Sequence, residues 1–190
     1  MIIMCDIDEV LNDMVPKTLA MYNASSGKNL QISDLTAYRW DECLSAEDSN
    51  GLMTLLNEKA LWDSLEPLPD SQWGLKTLIN QGHDVYLATA THFNNFAWKV
   101  EWIEKHFPFI DTRNIICIRN KGLLKCDVMI DDCLANLTSN ICERVVLDYP
   151  WNRSTSKDYA YNIYRANNWV DIVNIINEIE RKEKEWESRK

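Results

Sequence analysis

Short apolar runs that end in polar residues, separated by amphipathic segments of helix length, constrain this chain more than any other feature. From residue 70 onward the pattern predicts a helix over about 71–81 stopped by Gly82, a strand from Val85 to Ala90, a helix over about 95–107 and a strand from Ile115 to Ile118. Asp127 to Ile130 and Val145 to Leu147 read as further short strands. A final helix over about 168–186 carries the charge run Glu180 to Glu185, which suits a solvated face. Such alternation predicts βα units and a parallel sheet. With the apolar run Met1 to Ile7 as the first strand, the expectation is an α/β, Rossmann-like sheet of about five strands.

The stretch 15–69 breaks that rhythm. A helix is expected from about Val10, followed by short helical patterns, two tryptophans (Trp40 and Trp62) and no strong strand signal. Glu66-Pro67-Leu68-Pro69-Asp70 closes the stretch, because two prolines break a helix and Asp70 or Ser71 can cap the next one. The expected division is a core of 1–14 and 70–190 with a small helical cap, 15–69, inserted after the first strand.

Composition excludes several functions. The chain has 190 residues, 46% of them hydrophobic, enough for one core with a small inserted lobe. A net charge of −9 leaves no basic stripe to neutralise a nucleic-acid backbone, so a polymer partner is not expected. The N-terminus lacks the basic and apolar regions of a signal peptide, and no apolar run reaches membrane-spanning length. Six cysteines without a CxxC pair suit free thiols, so the expected location is the cytoplasm, without membrane contact. A homodimer is left open.

In an open parallel sheet, ligands bind at the carboxyl ends of the strands. Asp6 and Asp8 stand at the first predicted strand end, Thr89 and Thr91 at the second, Arg119 and Lys121 after the third, and Asp131-Asp132 at the fourth. Separately each has an ordinary reading. Asp-x-Asp is usually a turn or cap, a strand Thr a β-former, a lone Lys a surface charge, and paired aspartates a helix cap. Falling at four successive strand ends, they form a kit for phosphoryl transfer. Mg²⁺ wants oxygen ligands, which Asp6, Asp131 and the backbone carbonyl near Asp8 can supply, with Asp132 behind them. Asp6 is the candidate nucleophile and Asp8 the proton carrier for the leaving oxygen. Thr89 and Lys121 can stabilise charge on the transferred group.

These residues resemble the haloacid dehalogenase-like phosphatases: Asp6-Ile7-Asp8-Glu9-Val10-Leu11 is similar to that family's first motif, Thr89 to its second, Lys121 to its third and Asp131-Asp132 to its fourth. Leu65 to Pro69, Trp102 to Phe107, Arg119-Asn120-Lys121 and Met129 to Asp132 further resemble one branch, the 5'(3')-deoxyribonucleotidases. That resemblance implies a core with a helical cap, and Mg²⁺-dependent hydrolysis of a nucleoside monophosphate, preferably deoxy, through an aspartyl-phosphate. It also implies aromatic cap residues around the base, with Trp40 at such a position and Lys99 and Arg119 near the substrate. Two departures bear on base preference: Glu9 replaces the glycine of many animal members, and Ala90 stands where some carry a hydroxyl.

Stacking alone tolerates any base. Trp40 reads equally as a stacking face or as cap core, and Trp62 better as core. Asp148 to Arg153 either lines the rim of the site or closes the sheet. Two alternatives stay open, a phosphatase for another small phosphate ester and a non-catalytic nucleotide-binding relative.

Overall fold

The structure, a computed structural model, describes residues 1–137, 142–153 and 163–190. Its six parallel strands are ordered β3-β2-β1-β4-β5-β6, where β1 is Ile2–Cys5, β2 Asp84–Thr89, β3 Ile115–Cys117, β4 Val128–Asp131, β5 Glu143–Leu147 and β6 Ile163–Ala166. The sixth strand was not expected. Its sequence, Ile-Tyr-Arg-Ala, is short and half polar because it runs along a sheet edge, where among the described residues it pairs only with β5.

β1 sits in the middle because its side chains are apolar in both directions. Ile3 and Cys5 enter one buried cluster and Met4 another, so both faces are covered. The chain steps from β1 outward to β2 and β3, then returns to the other side of β1 as β4. That reversal opens a crevice at the carboxyl ends of β1 and β4.

From residue 14 to residue 64 the chain is helical: α1 (Met14–Ser26), α2 (Ala46–Leu55) and α3 (Lys59–Ser64), with short 3-10 turns at Ile32–Asp34 and Trp40–Glu42. α1 starts later than the Val10 expected from pattern. Leu11 and Asn12 close a tight turn onto the carbonyl of Ile7, and Glu9 adopts φ 57° within it. The first turn of α1 is then satisfied from outside. Asn12 Oδ1 accepts the Met14 N–H at 3.2 Å, Glu9 Oε1 accepts that of Val15 at 2.5 Å, and Pro16 has none to offer. The two connections to this helical stretch lie side by side, since Leu68 N–H donates to Leu11 and Asp13 N–H to Glu66.

The remaining helices are α4 (Ser71–Asn80), α5 (Phe93–His106), α6 (Leu134–Leu137) and α7 (Trp169–Glu187). None of the described helices is long and apolar enough to cross a membrane. α4 and α7 pack through Gly74, where an added Cβ would stand 2.3 Å from the Trp169 ring. The ring cannot easily give way, because Trp169 is buried and its Nε1–H donates to the Val10 carbonyl at 2.7 Å. Gly74→Ala should therefore lower the unfolding free energy by about 1–3 kcal/mol. Urea denaturation of the two proteins measures it.

Candidate active site

Lys99 and Lys121 are among the largest fully buried side chains of the protein, each 1% exposed. Lysine is almost never buried without a partner, so their surroundings mark a built site. Both lie against the carboxyl ends of the central strands.

Asp6 follows β1, and its N–H donates to Ile130, which carries the ladder one residue past the strand. Asp6 Oδ1 accepts the Ile7 N–H at 2.8 Å and stands 2.8 Å from Lys121 Nζ. The same ammonium lies 2.7 Å from Asp131 Oδ2. Lys121 thus bridges the ends of β1 and β4 from the 3-10 turn that follows β3. Asp131 is wholly buried, and its oxygens also accept the Cys133 N–H at 2.8 Å and the Asn136 amide at 3.1 Å.

The second lysine serves a different pair. Lys99, from the middle of α5, forms an ion pair with the Asp8 carboxylate, donates to Thr89 Oγ1 at 2.7 Å and stands 5.3 Å from the Trp62 ring centre. Asp8 also accepts from Asn12 at 3.1 Å. Thr89 at the end of β2 is therefore tied to the turn after β1 through one ammonium.

Asp132, next to Asp131 but projecting differently, lines the cleft above these groups. Trp151 Nε1–H donates to its Oδ2 at 2.9 Å, and the Asn152 amide donates to its carbonyl at 2.9 Å. Asp6, Asp131 and Asp132 each offer an oxygen within 4.8 Å of the others, a donor set suited to a hard divalent cation. The Asp8 carboxylate is outside that group among the described residues and faces Lys99.

Burial dominates the electrostatics. It pushes the Asp6 carboxyl up to about 7, against the pull of Lys121 and with the push of Asp131 and Asp8. Burial, then Asp131 and Asp6, drive Asp132 well above the ordinary carboxylate range. Lys121 is held above the usual lysine range, because Asp6 and Asp131 outweigh the desolvation that lowers it.

The cleft encloses about 610 Å³. Of the residues expected to meet substrate, Trp40 and Lys99 line it and Arg119 does not. Arg119 is exposed on the loop after β3, where the turn that sends Lys121 inward leaves it outside. Trp40 and Trp62 both belong to buried clusters, as the core reading has it, and both also line the cleft. The 148–153 segment likewise reaches the cleft, through Trp151. Sequence reasoning missed Asn12 and Asn136 as supports of Asp8 and Asp131. Only their spacing of four or five residues from those aspartates hinted at them.

A sequence model of the family described as "5' nucleotidase, deoxy (Pyrimidine), cytosolic type C protein" matches residues 1–183. A 5'(3')-deoxyribonucleotidase of Bacillus subtilis (strain 168) is 30% identical over 173 residues, covering 90% of this chain and 95% of the relative. Another, from Clostridium acetobutylicum, is 28% identical over 166 residues, 87% of this chain and 89% of its own. In fold, a haloacid dehalogenase-like protein from Agrobacterium tumefaciens is similar with TM-score 0.63 at 11% identity, over 94% of this chain and 98% of that one. A HAD family hydrolase from Deinococcus radiodurans R1, with bound phosphate and sodium, gives TM-score 0.60 at 13% identity, over 94% of this chain and 96% of that one.

The raised Asp6 and Asp132 carboxyls set a pH dependence. A carboxyl with a higher pKa folded than unfolded binds more protons in the folded state, so its contribution falls as pH rises through that window. In metal-free protein the melting temperature of Asp6→Asn should exceed that of wild type by a margin that widens from about pH 4 to pH 7. Thermal melts across that range check it; a constant margin would contradict the strained carboxylate.

Proposed function

Because the chain belongs to the family of cytosolic type C deoxy-pyrimidine 5'-nucleotidases, which are phosphoric monoester hydrolases, we propose that it hydrolyses deoxyribonucleoside monophosphates through a phosphorylated Asp6. The observation that carries this reading is the buried Lys121 ammonium between Asp6 and Asp131. It holds a carboxylate at the mouth of a cleft and keeps positive charge where phosphate must sit.

Both bonds to the Asp6 carboxylate fall on Oδ1, so Oδ2 is the oxygen left to attack phosphorus. As the P–O bond to the nucleoside breaks, Asp8 passes a proton to the leaving oxygen, and later takes one from the water that cleaves the acyl phosphate. Lys99 and Asn12 fix the Asp8 carboxylate for that work. Thr89 accepts its hydrogen bond from Lys99, which frees its own O–H to donate to a phosphoryl oxygen.

A divalent cation, Mg²⁺ in this reading, would offset the charge between carboxylates and phosphate. The donor set fits, but the hydrogen bonds around it favour a division of labour other than the one expected. Asp131 does not line the cleft and has both oxygens engaged by Lys121, Cys133 and Asn136, whereas Asp132 lines it and, among the described residues, has only Oδ2 bonded, to Trp151. We therefore give the metal to Asp6, Asp132 and the backbone carbonyl near Asp8, and to Asp131 the task of holding Lys121. Asp132→Asn should weaken Mg²⁺ binding, read by calorimetry, at least about tenfold more than Asp131→Asn. The reverse order would restore the sequence expectation.

The nucleoside would lie against Trp40, Trp62 and Trp151, with residues 15–69 as the cap that covers it. The paired connections at Leu11–Leu68 and Asp13–Glu66 support that division. The test is phosphate release from deoxy- and ribonucleoside monophosphates and from sugar phosphates, with Mg²⁺ and with chelator. Rapid-quench labelling with an activated aryl phosphate should yield phosphoprotein from wild type and Asp8→Asn, the latter stalled, and none from Asp6→Asn. Labelling of Asp6→Asn, or release that survives chelation, would overturn the mechanism.

A further inference from the structure

Glu9 is not used by the chemistry above. It is 2% exposed, adopts φ 57° in the left-handed region that favours glycine, and lines the cleft beside Asp8. Oε1 is engaged by the first turn of α1, through the Val15 N–H. Oε2 is buried and has no hydrogen-bond partner among the described residues. A buried polar atom left unpaired is costly, and a strained backbone that holds it there points to a function.

We propose that Glu9 determines specificity by binding a sugar hydroxyl of the substrate through Oε2. The inference rests on the nucleotide reading above. Position and chemistry carry it together. In that reading Asp8 serves the ester oxygen between phosphate and sugar, and Glu9 lines the same cleft, which the sugar must enter. Phosphoryl and base carbonyl oxygens only accept hydrogen bonds, and a base ring N–H only donates. A hydroxyl does both, so it satisfies Oε2 whether or not the carboxyl carries a proton. The anchor on Val15 fixes the other oxygen, and the hydroxyl must come to Glu9 rather than the reverse.

The experiment compares kcat/KM for a 2'-deoxynucleoside 5'-monophosphate with that for its 2',3'-dideoxy counterpart, in wild type, Glu9→Gly and Glu9→Gln. Glycine suits the backbone and removes the group, while glutamine keeps both polar positions. Wild type should favour the 3'-hydroxyl by about 10- to 100-fold, as a site built for a hydroxyl does. The ratio should collapse towards unity in Glu9→Gly and be largely restored in Glu9→Gln. Disturbing α1 would slow both substrates alike and leave the ratio unmoved, so an unchanged ratio in Glu9→Gly overturns the proposal. A wild type that does not distinguish the two nucleotides overturns it too. Wild type that turns over aryl phosphate and neither nucleotide would instead strike the nucleotide reading itself.

Discussion

One buried ammonium, that of Lys121, holds the carboxyl end of the sheet together. β1 and β4 lie side by side and both run into aspartates, so the middle of the sheet ends in carboxylates that repel each other in a water-poor crevice. Lys121 lies within 2.8 Å of Asp6 and of Asp131, and turns a repulsion into a bridge. Such a pairing need not add stability over an apolar substitute. Breaking it is another matter, since an uncompensated buried charge costs about 3–5 kcal/mol. The turn after β3 and the supports from Asn136 and Cys133 all serve to keep the bridge closed.

Lys99 does the corresponding work on the other flank. It carries charge from α5 to Asp8 and Thr89 and rests over Trp62, which belongs to α3. The helical stretch is thereby linked to the carboxyl end of the sheet by one side chain. Glu9, Asn12 and the first turn of α1 make a second link close by. Movement of the helical stretch relative to the sheet would be felt directly at Asp8.

The tryptophans show why packing and binding were hard to tell apart from sequence. Trp40, Trp62 and Trp151 each bury most of their surface in clusters and present a remainder to the cleft. Aromatic side chains have surface enough for both, and the indole N–H still finds a partner, Leu56 for Trp62 and Asp132 for Trp151. Burial therefore does not keep such residues away from the cleft.

What the sequence determined by itself was the alternation of apolar strands with helices, and the residue types at four strand ends. Strand ends are local features, set by where an apolar run stops, so Asp6, Asp8, Thr89, Lys121 and the Asp131-Asp132 pair could be read as one group. The polar edge strand β6 and the delayed start of α1 were not readable in that way, because pairing at an edge and capping by Glu9 are contacts between distant or irregular segments. Tertiary structure alone decided which neighbour each charge faces. It turned Asp131 inward to Lys121 and Asp132 outward to the cleft, brought Lys99 beneath Asp8, and left Arg119 in solvent. Two adjacent aspartates are identical in sequence terms; only the strand's alternation and the hydrogen bonds around its end give them different directions and different partners.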